Sequence, residues 1–363
     1  MRPSRNNSPR SKEQQRLTST PTITFDKGWR SIESLLLTPL LTTIAQGPTK
    51  KLKHQFQTSQ CTSLYTHIYT MCTQKAPHNW SGKLYFEYRR HLQTHLQTQV
   101  LPALQQRIQR TATPTVANAL ALLQAMDVVW RHHCLYVTWT LKFFHYLNRF
   151  YVRRLAVDDL NTVTLKCFKE EVYDHVKDAV TAAYVVVVSA ERDGGASKVV
   201  HDTMLERLTN MYLALGRGTS RIYDTELEQQ LLHSAEEDTC RDSQRWLNQE
   251  TTAGYLAKAE ARLEEEQYRA KAYLLSATDA KLQHVVEVAL LGSAQVQTVL
   301  LSHHVNLTGG GAGGGAGAET GTCGVCGVSG AGWWCRSGGT SKTTRCKEVL
   351  GINVEVVQLL RTC

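Results

Sequence analysis

The sequence predicts an all-α fold, and three observations support this. Apolar residues recur every three or four positions over most of residues 21–291, which places them along one face of successive helices. No useful length of this region alternates apolar with polar residues, the period expected of a half-buried strand. Proline and glycine separate the apolar segments, as is typical of helix ends. We therefore expect successive helical bundles that pack end to end.

Residues 21–155 are predicted to form a first bundle of five helices. The first helix carries Phe25, Trp29, Ile32 and Leu36 and ends or kinks at Pro39, and the second carries Leu64, Ile68, Met71 and Cys72 and stops at Pro77. The third helix runs from near Lys83 toward Pro102. The fourth starts at the N-cap Thr115, and the fifth spans about Val128 to Arg154.

Residues 156–291 are predicted to form a second bundle. Its helices carry Leu165 to Ala183, Val200 to Leu215, Tyr223 to Leu231, Leu256 to Leu274 and, after a cap at Asp279, Leu282 to Ala289. Glu265 and Arg269 are expected to pair across one turn on a solvated face, together with the neighbouring acids Glu264 and Glu266.

The ends of the chain differ from the helical region in composition. The protein has a net charge of +9, of which the basic residues among positions 1–20 supply nearly half, so this segment is predicted to be a disordered basic tail. It has no apolar core of the kind found in a secretory signal, although a transit peptide is a minor alternative. No apolar run approaches the length of a membrane-spanning helix. We therefore expect no membrane association.

Residues 292–363 form a glycine- and cysteine-rich segment that we expect to be mostly disordered. Four of its cysteines are weak candidates for a metal site, namely Cys323, Cys326, Cys335 and Cys346. A single Cys-x-x-Cys pair without a matching second pair is poor evidence for zinc or redox chemistry, so no metal or cofactor is expected. Five further cysteines are scattered through the helices and are predicted to be free, buried thiols: Cys61, Cys72, Cys134, Cys167 and Cys240.

Several sequence blocks resemble, in order, the amino-terminal region of cullins, most closely the SCF-type cullins of plants and green algae. The blocks are LYTHIYTMCTQKAPH at Leu64 to His78, FFHYLNRFYVRR at Phe143 to Arg154, CFKEEVYDHV at Cys167 to Val176, ERDGG at Glu191 to Gly195, IYDTELEQQLL at Ile222 to Leu232, and YLAKAEARLEEEQYRAKAYL at Tyr255 to Leu274. The resemblance implies tandem five-helix cullin repeats stacked into an elongated stalk.

The resemblance also implies a function without catalysis. Cullins of this type are scaffolds of ubiquitin ligases, and their first repeat binds a Skp-type adaptor carrying an F-box protein through its second and fifth helices. Carried onto this chain, the adaptor-binding residues would be Leu64, Tyr65, Tyr69, Trp139, Lys142 and Phe143. A cytoplasmic and nuclear location is expected for such a scaffold.

Two departures from the family pattern are visible. Cys61 and Thr62 stand where the plant cullins have a tyrosine and a methionine, which bears directly on adaptor affinity. The resemblance is expected to stop near Leu291, so RING-subunit binding is not expected of this sequence. Two other functions remain open: a metal- or redox-active protein acting through its cysteine-rich tail, and a nucleic-acid-binding helical protein using its basic segments. Interleaved acidic residues argue against an extended nucleic-acid-binding face.

Overall fold

The computed structural model describes residues 22–46, 58–110, 115–194 and 198–292, together with Val296 and the pairs Val328–Ser329 and Gly332–Trp333. Across the described part of residues 22–292, every regular element is a helix, which confirms the all-α prediction. Internal contacts divide the chain into two compact units, Met1–Leu227 and Glu228–Cys363. We call them the N-terminal and the C-terminal unit. The predicted division at residue 155 lies within the N-terminal unit and stays a prediction.

The N-terminal unit is built around one long helix. Its elements are α1 (Phe25–Ile32, a π-helical turn Glu33–Leu37, and Thr38–Ala45), α2 (Thr58–Thr73), α3 (Ser81–His95, a π-helical turn Leu96–Val100, and Leu101–Arg110), α4 (Val116–Phe143), α5 (a π-helical turn Leu147–Tyr151 and Val152–Leu155), α6 (Leu160–Phe168, a π-helical turn Lys169–Tyr173, and Asp174–Arg192) and α7 (Lys198–Leu215). Helix α4 packs against α1, α2, α3, α6 and α7, and is therefore the central helix of this unit.

Two prolines lie inside helices that the sequence predicted them to end or bend. Helix α1 continues past Pro39 to Ala45, and α3 continues past Pro102 to Arg110, so the predicted end of the third helix was wrong. In each case a π-helical turn ends two residues before the proline. A proline in a regular α-helix clashes with the carbonyl four residues earlier. Here that carbonyl belongs to the π-helical turn, where the hydrogen-bonding pattern already differs.

Helix α4 replaces two predicted helices. The fourth and fifth helices were expected to divide near Val128, but Val116–Phe143 is continuous. The segment contains neither glycine nor proline, and nothing else in it stops a helix. Thr115 is its N-cap, as predicted, because its hydroxyl oxygen accepts a hydrogen bond from the Asn118 amide at 3.2 Å. The break instead falls at Phe144, and a new helix follows it.

Large aromatic side chains fill the core of the N-terminal unit, and two of the tyrosine hydroxyls pair with buried threonines. The hydroxyls of Tyr88 and Thr140 lie 2.8 Å apart, and those of Tyr184 and Thr209 lie 3.1 Å apart. Both tyrosines are fully buried. Tyrosine contributes a large apolar area but requires a partner for its hydroxyl when buried. The threonines supply these partners across helix contacts.

The C-terminal unit contains α8 (Gln229–Gln249), α9 (Thr252–Tyr273), α10 (Ser276–Leu291) and an antiparallel pair, β1 (Val328–Ser329) with β2 (Gly332–Trp333), in which Val328 lies opposite Trp333. Each of the three helices packs against the other two. Helix α10 begins at Ser276, which places Asp279 within its first turn, so the predicted cap was wrong.

Buried charged pairs lie beside the apolar core of the C-terminal unit. Asp242 is 1% exposed, accepts a hydrogen bond from the buried Arg262, and forms an ion pair at 2.9 Å with the half-exposed Arg245. Arg269 lies 2.6 Å from Glu266, and both are buried. Arg269 also pairs with Glu265 at 3.2 Å, as predicted. The prediction of a fully solvated face was wrong for Arg269 and Glu266, because both face inward.

Several predictions fall outside the described residues. They concern the basic tail at positions 1–20 and the candidate metal ligands Cys323, Cys326, Cys335 and Cys346. Among the described residues, no helix combines the length and the apolar character needed to cross a bilayer.

Candidate docking surface

Helix α2 has a buried face and an exposed aromatic face. Leu64, Ile68 and Met71 point into the core, whereas Tyr65 and Tyr69 are 37% and 43% exposed. The two tyrosines are four residues apart, so they lie one above the other on the same side of the helix. Their rings are stacked with centroids 6.4 Å apart.

The exposed aromatic face continues onto α5. The ring of Tyr69 meets the ring of Tyr146 edge to face with centroids 4.8 Å apart, and Tyr146 contacts Phe150 at 4.5 Å. Phe150 is 50% exposed and Tyr146 is half-buried. We call Tyr65, Tyr69, Tyr146 and Phe150 the aromatic strip. Four linked rings at the surface of one unit form the kind of patch that marks a protein-binding site.

Positive charge borders the aromatic strip. The guanidinium of Arg149 lies 5.4 Å from the centre of the Phe150 ring, within range of a cation–π interaction. Arg149 is itself exposed. The strip therefore offers a partner both aromatic surface and a positive edge, a combination enriched at interface hot spots.

The six residues predicted from the sequence occupy different environments. Tyr65 and Tyr69 lie side by side in the strip, as described above. Trp139 is half-buried on α4, and the ammonium of the exposed Lys142 lies 4.5 Å from the centre of its indole ring. Leu64 and Phe143 are only 5% and 4% exposed, so they support the surface from below and offer little area to a partner.

Tyr146 and Phe150 were not selected from the sequence, although both belong to the aromatic run FFHYLNRFY. Their spacing of four residues was a usable signal, since it places both on one helix face. The helix break at Phe144 was not predicted, so this spacing was not used. The predicted fifth helix placed Trp139, Phe143 and Phe150 in one continuous helix, and it therefore assigned the exposed face to the wrong residues.

The two positions that depart from the family pattern lie at the start of α2. Cys61 is half-buried, and Thr62 is exposed and donates its hydroxyl to the carbonyl of Thr58 at 3.0 Å. Thr62 precedes Tyr65 and Tyr69 by about one and two helical turns, so it continues their face of α2. A small polar side chain therefore stands next to the aromatic strip.

Two titratable groups in the core of the N-terminal unit are held neutral by burial. Burial lowers the pKa of His133 to about 3, and the ring of His133 packs against those of Trp130 and Phe168. Burial likewise raises the pKa of the Cys72 thiol to about 11. A neutral imidazole in an aromatic cage and a protonated thiol are structural groups rather than proton-transfer or nucleophilic ones.

The remaining described cysteines differ from expectation at two positions. Cys167 is buried, as predicted, whereas Cys134 and Cys240 are exposed. Within the described part of the chain, no three His, Cys, Asp or Glu side chains come close enough together to hold a metal ion. The exposed aromatic strip is suited to binding a protein surface.

Comparison with known proteins decides the family. The family model described as the cullin alpha solenoid domain matches residues 41–307, which is more than half of the chain. The chain belongs to the cullin family. The matched region extends beyond Leu291, where the resemblance was expected to stop.

Plant cullins are among the most similar curated relatives of this cullin. It is 29% identical to Cullin-1 of rice over 78% of this chain, and 27% identical to Cullin-2 of Arabidopsis thaliana over 68% of this chain. It covers 36% and 32% of the lengths of these two proteins. It is also 27% identical to putative cullin-like protein 2 of Arabidopsis thaliana over 77% of this chain, and there it covers 70% of the relative.

Proposed function

We propose that this cullin is a non-catalytic scaffold of an SCF-type ubiquitin ligase that binds a Skp-type adaptor carrying an F-box protein. The chain would present this module for ubiquitin-dependent protein turnover in the cytoplasm and nucleus, and catalysis would belong to its partners. The observation that carries the proposal is the aromatic strip on α2 and α5.

Two further arguments support the proposal. Membership of the cullin family makes a ligase scaffold the natural role, and the sequence blocks that resemble SCF-type cullins include both helices of the strip. Helix α2 packs on the central helix α4, and the π-helical turn of α5 packs against α3, so both helices of the strip are held by the core. A rigid exposed aromatic surface binds with little loss of conformational entropy.

The proposal is tested by measuring the affinity of the purified chain for a Skp-type adaptor bound to an F-box protein, by biolayer interferometry. Tyr69→Ala and Phe150→Ala each remove one ring from the strip. Loss of about 2 kcal/mol at an interface anchor corresponds to roughly a 30-fold weaker affinity. We expect a loss of that size from each substitution, with unchanged circular dichroism.

Matched controls are available on the same chain. Tyr268 is 49% exposed on α9 and Phe86 is 65% exposed on α3. Tyr268→Ala and Phe86→Ala remove rings of the same type from outside the strip, and both should keep the wild-type affinity. Failure of the wild-type chain to bind the adaptor, or an equal loss in the controls, would refute the proposal.

A further inference from the structure

A groove lies on the face of α5 next to the aromatic strip. It has a volume of about 780 Å³, and its lining includes His145, Asn148, Arg149, Val152, Arg153 and Asp159. It is thus large enough to receive several residues of an extended peptide. We call it the basic groove, for the reasons that follow.

The charge of the groove is mainly positive. Arg149 and Arg153 are both exposed, and within the described part of the chain neither lies in an ion pair. The acidic residue of the lining, Asp159, is engaged locally, because its carboxylate accepts a hydrogen bond from the Thr162 amide at 2.7 Å and caps α6. The neighbouring Asp158 pairs with Lys166. Two guanidinium groups therefore remain to meet a negatively charged ligand.

The walls of the groove are held in place by the turn between α5 and α6. The side-chain oxygen of Asn148 accepts a hydrogen bond from the Leu160 amide at 2.9 Å, which ties the two helices together. Ala156, which also lines the groove, has a left-handed backbone with φ of 51° and turns the chain sharply there. The groove is thus a fixed feature of the unit.

The groove is not uniformly polar. Val157 lines it and is 38% exposed, so an apolar side chain of a bound peptide can lie against it. Nucleic-acid binding relies on an extended positive track along the phosphate backbone. Two arginines, a valine and a carboxylate in one short groove suit a peptide that carries acidic and apolar residues.

We propose that the basic groove binds an acidic, extended segment of the same protein that docks on the aromatic strip. This proposal rests on the proposed function only for the identity of the partner that carries the acidic segment. Arg149 joins the two sites, since its guanidinium lies over Phe150 in the strip and also lines the groove. The segment would add charge-dependent affinity and orientation to a contact whose centre is aromatic.

The test measures peptide binding directly and uses no adaptor. The probe is a short fluorescein-labelled peptide of Asp, Glu, Val and Gly, and the reference peptide has Asn and Gln in place of the acids. By fluorescence anisotropy, the wild-type chain should bind the acidic peptide and not the amide peptide. Binding should weaken as salt rises, since ion pairs at an exposed groove are screened.

Arg153 is the residue to change, because it lines the groove, whereas Arg149 also lies over the Phe150 ring of the strip. Arg153→Glu should weaken binding of the acidic peptide at least about tenfold, and Arg153→Lys should retain most of it. Arg221→Glu is the matched control, since Arg221 is exposed elsewhere in the N-terminal unit and the change in net charge is identical. It should bind as the wild type does.

Four outcomes would overturn the inference. The first three are no binding of the acidic peptide, equal binding of the amide peptide, and an equal loss of binding in Arg221→Glu. The fourth is equally strong competition by a single-stranded oligonucleotide, which would assign the groove to nucleic acid. Tyr69→Ala should leave peptide binding unchanged. A chain that binds the peptide but no adaptor would refute the proposed function alone, whereas the reverse result would refute only the groove.

Discussion

The N-terminal and C-terminal units use polar side chains in different ways. The N-terminal unit buries neutral hydroxyls on aromatic rings, such as Tyr88 and Tyr184, and leaves further rings exposed in the strip. The C-terminal unit buries full charges, with Arg262 and Asp242 facing each other inside it. The N-terminal unit also buries charged side chains: Glu191 and Arg192 are 3% and 6% exposed, and the buried Asp127 has a bidentate partner, Arg207, that is 41% exposed.

The difference indicates a division of roles between the units. Exposed rings supply binding energy at a surface, and a neutral core beneath them tolerates close packing. Buried ion pairs add little net stability over apolar packing, but one partner cannot be removed without leaving a charge behind. The exposed strip thus distinguishes the N-terminal unit, and the buried pair of Arg262 with Asp242 is the contact to test in the C-terminal unit. Four substitutions test this contrast.

The largest expected effect is in the charged cluster of the C-terminal unit. Arg262→Met removes the buried partner of Asp242 and leaves the buried carboxylate with only the half-exposed Arg245, which should lower the free energy of unfolding by about 3 kcal/mol. The measurement is urea denaturation followed by circular dichroism. Arg245→Met removes the half-exposed partner of the same carboxylate and should cost less than about 1 kcal/mol. Equal costs would show that burial does not decide the effect.

The second effect is the pH dependence of the N-terminal unit. The pKa of His133 falls from 6.5 to about 3 on burial, so the unfolded chain binds more protons between these values and stability rises with pH there. Going from pH 7 to pH 5 should therefore cost about 2 kcal/mol through this group.

Replacing the imidazole tests that contribution. His133→Gln should reduce the difference in unfolding free energy between pH 7 and pH 5, whatever it does to stability at pH 7. His233→Gln changes an exposed histidine of the C-terminal unit and should leave the difference as it is. An undiminished pH dependence in His133→Gln would count against a neutral buried imidazole.

The third effect concerns the hydroxyl pairs of the aromatic core. Tyr88→Phe deletes the hydroxyl that lies 2.8 Å from that of Thr140. The Thr140 hydroxyl still donates to the Tyr136 carbonyl at 2.8 Å, so the cost should be only about 1 kcal/mol. Tyr69→Phe deletes a hydroxyl from the exposed strip and should change the free energy of unfolding by less than about 0.5 kcal/mol. A similar cost at both positions would remove the distinction between core and strip.

The smallest effect is a gain in stability at the turn after α5. Ala156 has a left-handed backbone, which disfavours residues with a β-carbon. Ala156→Gly should raise the unfolding free energy by about 0.5 kcal/mol, after the greater flexibility of glycine in the unfolded chain is counted. Ala190→Gly, inside the regular part of α6, should instead lower it by about 1 kcal/mol. Differential scanning calorimetry should show a higher melting temperature for Ala156→Gly and a lower one for Ala190→Gly.

The sequence carried most of the information about the helices. Apolar spacing placed the residues of α2 correctly, and the Asp-Gly-Gly terminator after α6 lies where predicted, with Gly194 at φ of 77°. The π-helical turns were not foreseen. Such turns depend on how a helix packs against its neighbours and have no strong composition signal, so the continuation through Pro39 and Pro102 was missed.

The candidate surface could be predicted only in part. Tyr65 and Tyr69 were identified because α2 is an uninterrupted helix with a clear apolar face. Phe143 and Phe150 have the same character in the sequence, yet one is buried and the other is half exposed. The break at Phe144 changes the phase between them, and only tertiary packing sets that phase. By contrast, the helical period was a usable signal for Glu266, which stands four residues before the buried Ala270 and shares its face, whereas Glu264 is exposed.

The π-helical turn Leu147–Tyr151 has an evolutionary consequence. Such a turn behaves as a single-residue insertion in an α-helix. Deleting one residue there would restore the ordinary hydrogen-bonding pattern and leave the downstream side chains of α5 close to their present directions, because the wider turn already absorbs one extra residue. Val152 would therefore stay in the core. The same deletion in the regular part of a helix would instead rotate every following side chain by about 100° around the helix axis. Loss of one codon within this turn is thus a change that the packing of the unit can tolerate.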